Sequence, residues 1–473
     1  MQHRKLPKST PSILNSPYSI PNIRLFILFR CCFTARFYYP VFTILFLDYG
    51  LTLEQFSLLN TIWAITIVCA EVPSGALADV LGRKYLLVTT AVLMILEMTI
   101  LAVVPTGNSN IIFQAFLINR ILSGLAESMA SGADEAIAYD SLVQEGMQHL
   151  WAKVLTTTYR VKALTAIFSL TLGSLIYAPS SVNSVLAFLG IDVTLTQQTT
   201  MRFPIYGTLI FAVFAFFTAI KMKEVTIENP DDEPGVKTTV ASAFFKTLDA
   251  GRWIRRTPFA LAIILFGMCF DHVLRLVVTF TSQYYRCIDL PDASFGVIGA
   301  TLSLLAMVTP KIAEVLCEER SPRTNMIILA ILTLLSLFGL AQFSLMGGLF
   351  FVATTTITMT FVSFMVSNYL NIITDSRRRA TVLSFKGMAF NIAYGSISFF
   401  FALLLTRLRS DLTDEHPLWA TEQIADAAFM EGITWLPWFT LLALIVLIFI
   451  SNRMLRDSTD HLHIPIPHSE AKQ

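Results

Sequence analysis

Charge is what this chain has least of. Only 14% of its 473 residues are Asp, Glu, Lys or Arg, while 54% are hydrophobic and the mean hydropathy is +0.63. A soluble domain carries about 25% charged residues, so this chain cannot cover a globular surface and is read as a polytopic membrane protein. Its net charge of +1 removes the electrostatic footprint of a nucleic-acid partner. Cysteine is scarce as well. Of the six, Cys31, Cys32, Cys69 and Cys269 fall inside apolar runs, which excludes a disulfide framework. The opening "MQHRKLPKSTPSILNSPYSIPNIR" lacks the apolar core and small-residue cleavage site of a signal peptide and reads as a basic cytoplasmic tail. No Gly-rich loop ends in Lys-Ser or Lys-Thr, so ATP-driven transport by this chain is unsupported. No nucleophile–base or metal-ligand cluster stands out, and an enzyme is not expected. The three His of "HLHIPIPHSE" (461–470) lie in a polar, Pro-containing tail without the rigid spacing a metal requires.

What the chain does have is apolar runs. Crossing ~30 Å of hydrocarbon takes about 20 helical residues. Twelve stretches qualify: 25–48, 54–77, 84–105, 111–139, 151–177, 203–221, 258–283, 294–316, 324–344, 348–373, 380–406 and 433–452. The fifth holds Arg160 and Lys162 and the eighth Lys311, which spans facing a polar cavity tolerate. Basic residues mark one side: the N-terminal tail, "GRK" at 82–84, the stretch 221–256, "SRRR" at 376–379, and Arg453 and Arg456. The opposite connections "DYGLTLEQ", "PTGNSN" and "SLMGG" have no Lys or Arg, which places both termini in the cytoplasm. The connection 407–432, outside in this scheme, is mixed in charge. The chain then divides into a cytoplasmic tail (1–24), a six-helix bundle (25–221), a cytoplasmic central loop (222–257), a second six-helix bundle (258–452) and a cytoplasmic tail (453–473). Three short echoes in the same order argue that the halves are duplicates: "LADVLGRK" with "IAEVLCEE", "YDS" with "TDS", and "AKVLT" with "ATVLS".

The sharpest motif is "EVPSGALADVLGRK" (71–84), with Gly75, Asp79, Gly82, Arg83 and Lys84 in a short turn between the second and third spans. Gly75 would let two helices approach closely and Gly82 would permit the turn. Asp79 offers charge to a facing helix N-terminus, and Arg83 a fork for a carboxylate. This loop, with twelve spans in two sets of six and a central loop, resembles the major facilitator superfamily. "EVPSGALAD", "SGADEAIAYDSL" and "RATVLS" look like its bacterial small-molecule or drug exporters. The resemblance implies an all-α fold of two pseudo-symmetric six-helix bundles and a cytoplasmic gate. In that gate Asp79 would face the backbone near Ala380–Val382, and Arg83 would pair with Asp140. Span four carries Arg120-Ile-Leu-Ser-Gly124, a partial match to the R-x-x-Q-G of proton-coupled exporters. The span-five pattern of those exporters, G-x-x-x-G-P-x-x-G-G, is absent.

Span four also raises an energetic problem, because "ESMASGADEAIAYDS" places Glu127, Asp134, Glu135 and Asp140 in a membrane-like helix. An ionised carboxylate in hydrocarbon must be paired, hydrated or protonated. Arg120, Glu127 and Asp134 fall at heptad spacing, within ~20° of one face per step if the helix is continuous. Such a stripe either packs against another helix through salt bridges, for instance to Arg160 or Lys162, or lines a central cavity. The superfamily's spans one, four, seven and ten line that cavity, which favours the second. Span one adds Arg30 and Arg36, followed by Tyr38 and Tyr39. Span seven adds Asp271, His272 and Arg275. Asp271 and Arg275 either neutralise each other at i,i+4 or belong to a coupling site where Asp271 or His272 takes up a proton. Asn368, Asn371 and Lys386 are further candidates.

The resemblance implies a secondary transporter in a bacterial inner membrane that carries a small solute by alternating access. It needs no cofactor beyond a proton gradient, and a monomer in the lipid bilayer is expected. Proton-coupled efflux of a small organic molecule leads. Import of a polar or anionic nutrient or metal chelate is the alternative, which Arg30, Arg36, Arg120 and Arg160 would suit. A sensor or membrane enzyme that kept the fold comes last.

Overall fold

A backbone in hydrocarbon must satisfy its own hydrogen bonds, and the apolar runs do so as helices. The structure, a computed structural model, describes residues 16–225, 240–374 and 376–456. Among these residues there is no strand, and twelve helical segments are long and apolar enough to cross a membrane. Spans 1 to 6 are Pro21–Asp48, Leu53–Gly75, Arg83–Val103, Ser109–Gln144, Gln148–Tyr177 and Gln197–Lys221. Spans 7 to 12 are Pro258–Thr279, Asp292–Glu319, Pro322–Leu340, Leu345–Ile373, Thr381–Glu415 and Thr421–Leu455. An even number of crossings returns both ends of the chain to one face, here the terminal face. The other is the far face.

The packing repeats. In the first half, span 1 packs on spans 4, 5 and 6, span 2 on span 4, and span 3 on spans 4 and 6. In the second half, span 7 packs on spans 10, 11 and 12, span 8 on span 10, and span 9 on spans 10 and 12. Each pair has its counterpart six spans later. The halves meet along spans 2 and 11 and along spans 5 and 8, two interfaces that exchange when the halves are exchanged. The fold is therefore two pseudo-symmetric six-helix bundles.

Three local features depart from the sequence reading. Spans 1 and 4 are not continuous helices. Span 1 stops at Thr34 and restarts as Phe42–Asp48. The backbone freed at the break finds partners on neighbouring elements, as it must in a membrane. Phe37 N–H donates to Thr208 Oγ1 (3.0 Å), and Thr43 N–H to Ser282 Oγ (3.0 Å). Span 4 breaks into Ser109–Ala130 and Ala133–Gln144 around Gly132, whose φ of 78° a side chain would resist.

The central stretch is not all loop, because Val240–Arg256 forms a helix. Thr247, Ala250 and Ile254 are buried at helical spacing, and the helix packs on spans 2 and 11. Finally, the mixed connection 407–432 is mostly helix. Span 11 continues to Glu415 and span 12 begins at Thr421, so the polar ends project beyond the apolar core. There Arg407 pairs with Asp411 (3.0 Å) one turn on, and Arg409 with Glu54 of span 2 (3.6 Å).

Candidate functional site

At the terminal face, Gly82 turns the chain with φ 96° and opens the helix of span 3. The first N–H groups of that helix have no partner within it. Glu224, just after span 6, supplies one: its carboxylate accepts from Arg83 N–H (3.0 Å) and Lys84 N–H (2.8 Å). The Arg83 guanidinium reaches Asp140, as the resemblance implied. Both residues belong to the first half, so the pair ties span 3 to span 4 and does not itself bridge the bundles. The side chains of Asp79 and Ala380 lie outside the described residues, and so does the contact expected between them. Gly75 is not a close-approach point, since a Cβ there would meet nothing within 4 Å. That role falls to Gly124, where a Cβ would come 2.9 Å from Thr66 Cβ and 3.1 Å from Trp63 O.

The break at Gly132 divides the heptad stripe. Arg120 is buried in the first segment with its guanidinium over the rings of Phe42 (4.8 Å) and Phe46 (5.1 Å). It makes no ion pair among the described residues, and its Nε is buried without a hydrogen-bond partner. Asp134, in the second segment, is fully buried and pairs with Arg30 of span 1, which also reaches Glu135 (3.1 Å). The partner of this acidic group is thus Arg30, not Arg160, which is exposed on span 5 and makes no ion pair among the described residues. Lys162 has Arg30, Asp134, Glu135 and Glu127 as charged neighbours. Arg36 is likewise spoken for: its guanidinium pairs with Glu97 of span 3 (2.6 Å), and neither side chain is more than 5% exposed. In the sequence Glu97 is a lone acid within "LLVTTAVLMILEMTILAV", with no local partner to mark it.

Glu127 differs from all of these. It is exposed, makes no ion pair among the described residues, and faces a cavity of about 380 Å³ between the halves. Glu71 of span 2 lines the same wall and accepts from Ser131 Oγ (3.5 Å). Across the cavity stand Asp271 and Arg275 of span 7 and Lys386 of span 11. Arg275 holds Asp271 (2.7 Å) and Asn391 Oδ1 (2.9 Å), and Lys386 donates to Ser367 Oγ (2.8 Å). The two readings left open for Asp271 and Arg275 therefore both have a place, since they are ion-paired and also line the cavity. His272 is the exception in span 7. One residue on, it is rotated by ~100° and lines a separate apolar groove with Trp435, Trp438 and Phe439. Its ring Nδ1 contacts Met268 O at 2.5 Å.

On the far side of this cavity the halves are closed. Arg286, after span 7, grips both oxygens of Asp48 at the end of span 1 (2.8 and 2.9 Å) and also Asp292 of span 8 (2.7 Å). Tyr177, at the end of span 5, donates to Asp48. Nearer the middle, Ser57 donates to Ser398 O (2.7 Å) and Thr43 to Thr279 O (2.6 Å). The arrangement is a chamber of about 380 Å³ between the two bundles, lined by charged and apolar side chains and fastened at one face by a clasp of charges.

No curated protein matches the chain by sequence. Solved structures do match its fold. A bacterial homologue of the human lysosomal transporter Spinster, in an inward-facing and unoccupied conformation, superposes with a TM-score of 0.69 at 13% identity, covering 95% of this chain and 99% of that one. The nucleoside transporter NupG superposes at 0.65 and 12% identity, covering 93% and 99%. A D-xylose–proton symporter superposes at 0.60 and 11%, covering 89% and 97%. The sequence profile of the Major Facilitator Superfamily matches residues 25–398. With its twelve spans, its paired bundles and the turn at Gly82, this multi-pass membrane protein belongs to the Major Facilitator Superfamily of transporters.

Proposed function

We propose that this chain is a proton-coupled exporter of a small organic solute, working as a monomer by alternating access in a bacterial inner membrane with both termini in the cytoplasm. The observation that carries this reading is the free state of Glu127. Asp134, Asp140 and Asp271 are each held by an arginine, whereas Glu127 faces the cavity and makes no ion pair among the described residues. A carboxylate in that position can hold either a proton or a positively charged group of the solute, but not both. Loading of solute from the cytoplasm would release the proton, and reprotonation from the far side would release the solute. Basic residues on the terminal face support the orientation.

A second reading is import of a polar or anionic nutrient or metal chelate. Lys386 favours it, because this cavity-lining cation has no carboxylate ion pair among the described residues. Everted membrane vesicles separate the two. With an imposed gradient, acid inside, export predicts solute accumulation in the vesicle lumen as protons leave. Import predicts that the same gradient drives solute out with the protons. Movement indifferent to the gradient contradicts both.

A further inference from the structure

The walls of the central cavity are sorted by charge. The first half contributes Glu71 and Glu127, and no cation from that half lines the cavity among the described residues. Lys162 of span 5, whose charged neighbours are Arg30, Asp134, Glu135 and Glu127, is not among the cavity-lining residues. The second half contributes Arg275 and Lys386 against one acid, Asp271. That acid is occupied, since Arg275 holds it at 2.7 Å. Lys386 has Asp271 as a charged neighbour but no ion pair among the described residues; its contacts are Ser367 Oγ at 2.8 Å and the ring of Phe390 at 5.7 Å. The same walls carry Trp63 and Ile67 on the first half and Met359 and Phe390 on the second, which offer apolar and aromatic surface.

Charges facing a confined, partly desolvated space attract whatever restores their balance, and the attraction is stronger there than in bulk water. A simple cation would satisfy Glu127 and leave Lys386 exposed to a like charge. A simple anion would do the reverse. An uncharged solute would satisfy neither. We infer that the solute is a small zwitterion whose cationic group docks on Glu127 and Glu71 and whose anionic group docks on Lys386 and Arg275. Its two charges are separated by an apolar or aromatic spacer that lies along Trp63 and Phe390. A cavity of about 380 Å³ suits a molecule of short-peptide size. This rests on the transport reading for the cavity but not on its direction or its coupling.

Such a ligand also links the two bundles. One wall belongs to each half, so a bound zwitterion spans the seam that alternating access must move, whereas a singly charged solute engages one half only. Binding and rocking would then be coupled through the ligand itself.

The test uses the purified full-length protein in lipid nanodiscs and the tripeptide Ala-Phe-Ala as probe. Binding is measured by calorimetry for four forms: free at both ends, N-acetylated, C-amidated, and blocked at both ends. The free form is expected to bind, with each single cap weakening it at least about tenfold. Glu127→Gln should shrink the penalty for acetylation and keep that for amidation. Lys386→Gln should do the opposite, and Lys386→Arg should restore the wild-type pattern. Equal binding of capped and free forms, or no binding of the free form, overturns the inference. The transport reading fails on a different result, namely a tripeptide that binds with the expected cap dependence yet is not moved across proteoliposomes.

Discussion

Arg286 lies 238 positions after Asp48 in the chain, yet its guanidinium takes both oxygens of that carboxylate, at 2.8 and 2.9 Å. Each residue belongs to a different bundle, and neither touches the central cavity. A bidentate pair of this kind is specific in geometry as well as attractive. It fastens the two bundles to each other at the far face, so on the proposed alternating-access reading it has to break.

A native thiol reports on that clasp. Cys287 follows Arg286 directly, and burial, with the Asp426 carboxylate adding to it, pushes its thiol up to about 12. Only the thiolate is nucleophilic, so at pH 7.5 the closed face should leave Cys287 almost inert. In a background with the other cysteines replaced by alanine, Arg286→Ala should raise its alkylation rate by an impermeant maleimide at least about tenfold. An unchanged rate in intact cells would mean that the clasp does not control the far face.

A different outcome is expected for the buried pair of Arg36 and Glu97. Both are almost without solvent exposure, and removing one partner strands the other's charge. Glu97→Gln should cost about 3–5 kcal/mol, and the double replacement Arg36→Met with Glu97→Leu much less. Thermal unfolding in detergent measures this, and additive losses would show that the pair is not a unit.

Two glycines on facing spans should behave oppositely. Gly124→Ala forces its Cβ to 2.9 Å from Thr66 and should destabilise by about 1–3 kcal/mol. Gly75→Ala meets open space inside a helix and should stabilise by about 0.5–1 kcal/mol. Unfolding midpoints of the two single variants decide it, and equal shifts would place the close approach elsewhere.

The contrast between these two glycines shows where the sequence was legible. Hydrophobic runs located ten of the spans within several residues, because crossing hydrocarbon admits one local solution, but missed the polar ends by which span 11 runs on to Glu415 and span 12 starts at Thr421. The i,i+4 pair of Asp271 and Arg275 was also within reach of helical geometry. The stripe through Arg120, Glu127 and Asp134 was not, because the spacing argument assumes an unbroken helix and Gly132 breaks it. His272 was misplaced for a related reason: neighbours in a helix face different directions, and only packing tells which faces water. Arg286 with Asp48, and Arg36 with Glu97, left no periodic trace, since partners so far apart in the chain are brought together by the tertiary fold alone.

The central claim is that Glu127, a cavity carboxylate without an ion pair among the described residues, couples proton movement to solute movement. Proteoliposomes loaded with Ala-Phe-Ala, or with another solute that stabilises the protein thermally, test it most directly when an inward or outward pH gradient is imposed. The wild type is predicted to move solute against its concentration gradient in one gradient direction only. Glu127→Gln is predicted to exchange solute for solute at a rate indifferent to pH while losing all gradient-driven accumulation. Gradient-driven accumulation that survives in Glu127→Gln, or wild-type transport that ignores the gradient, would contradict the account.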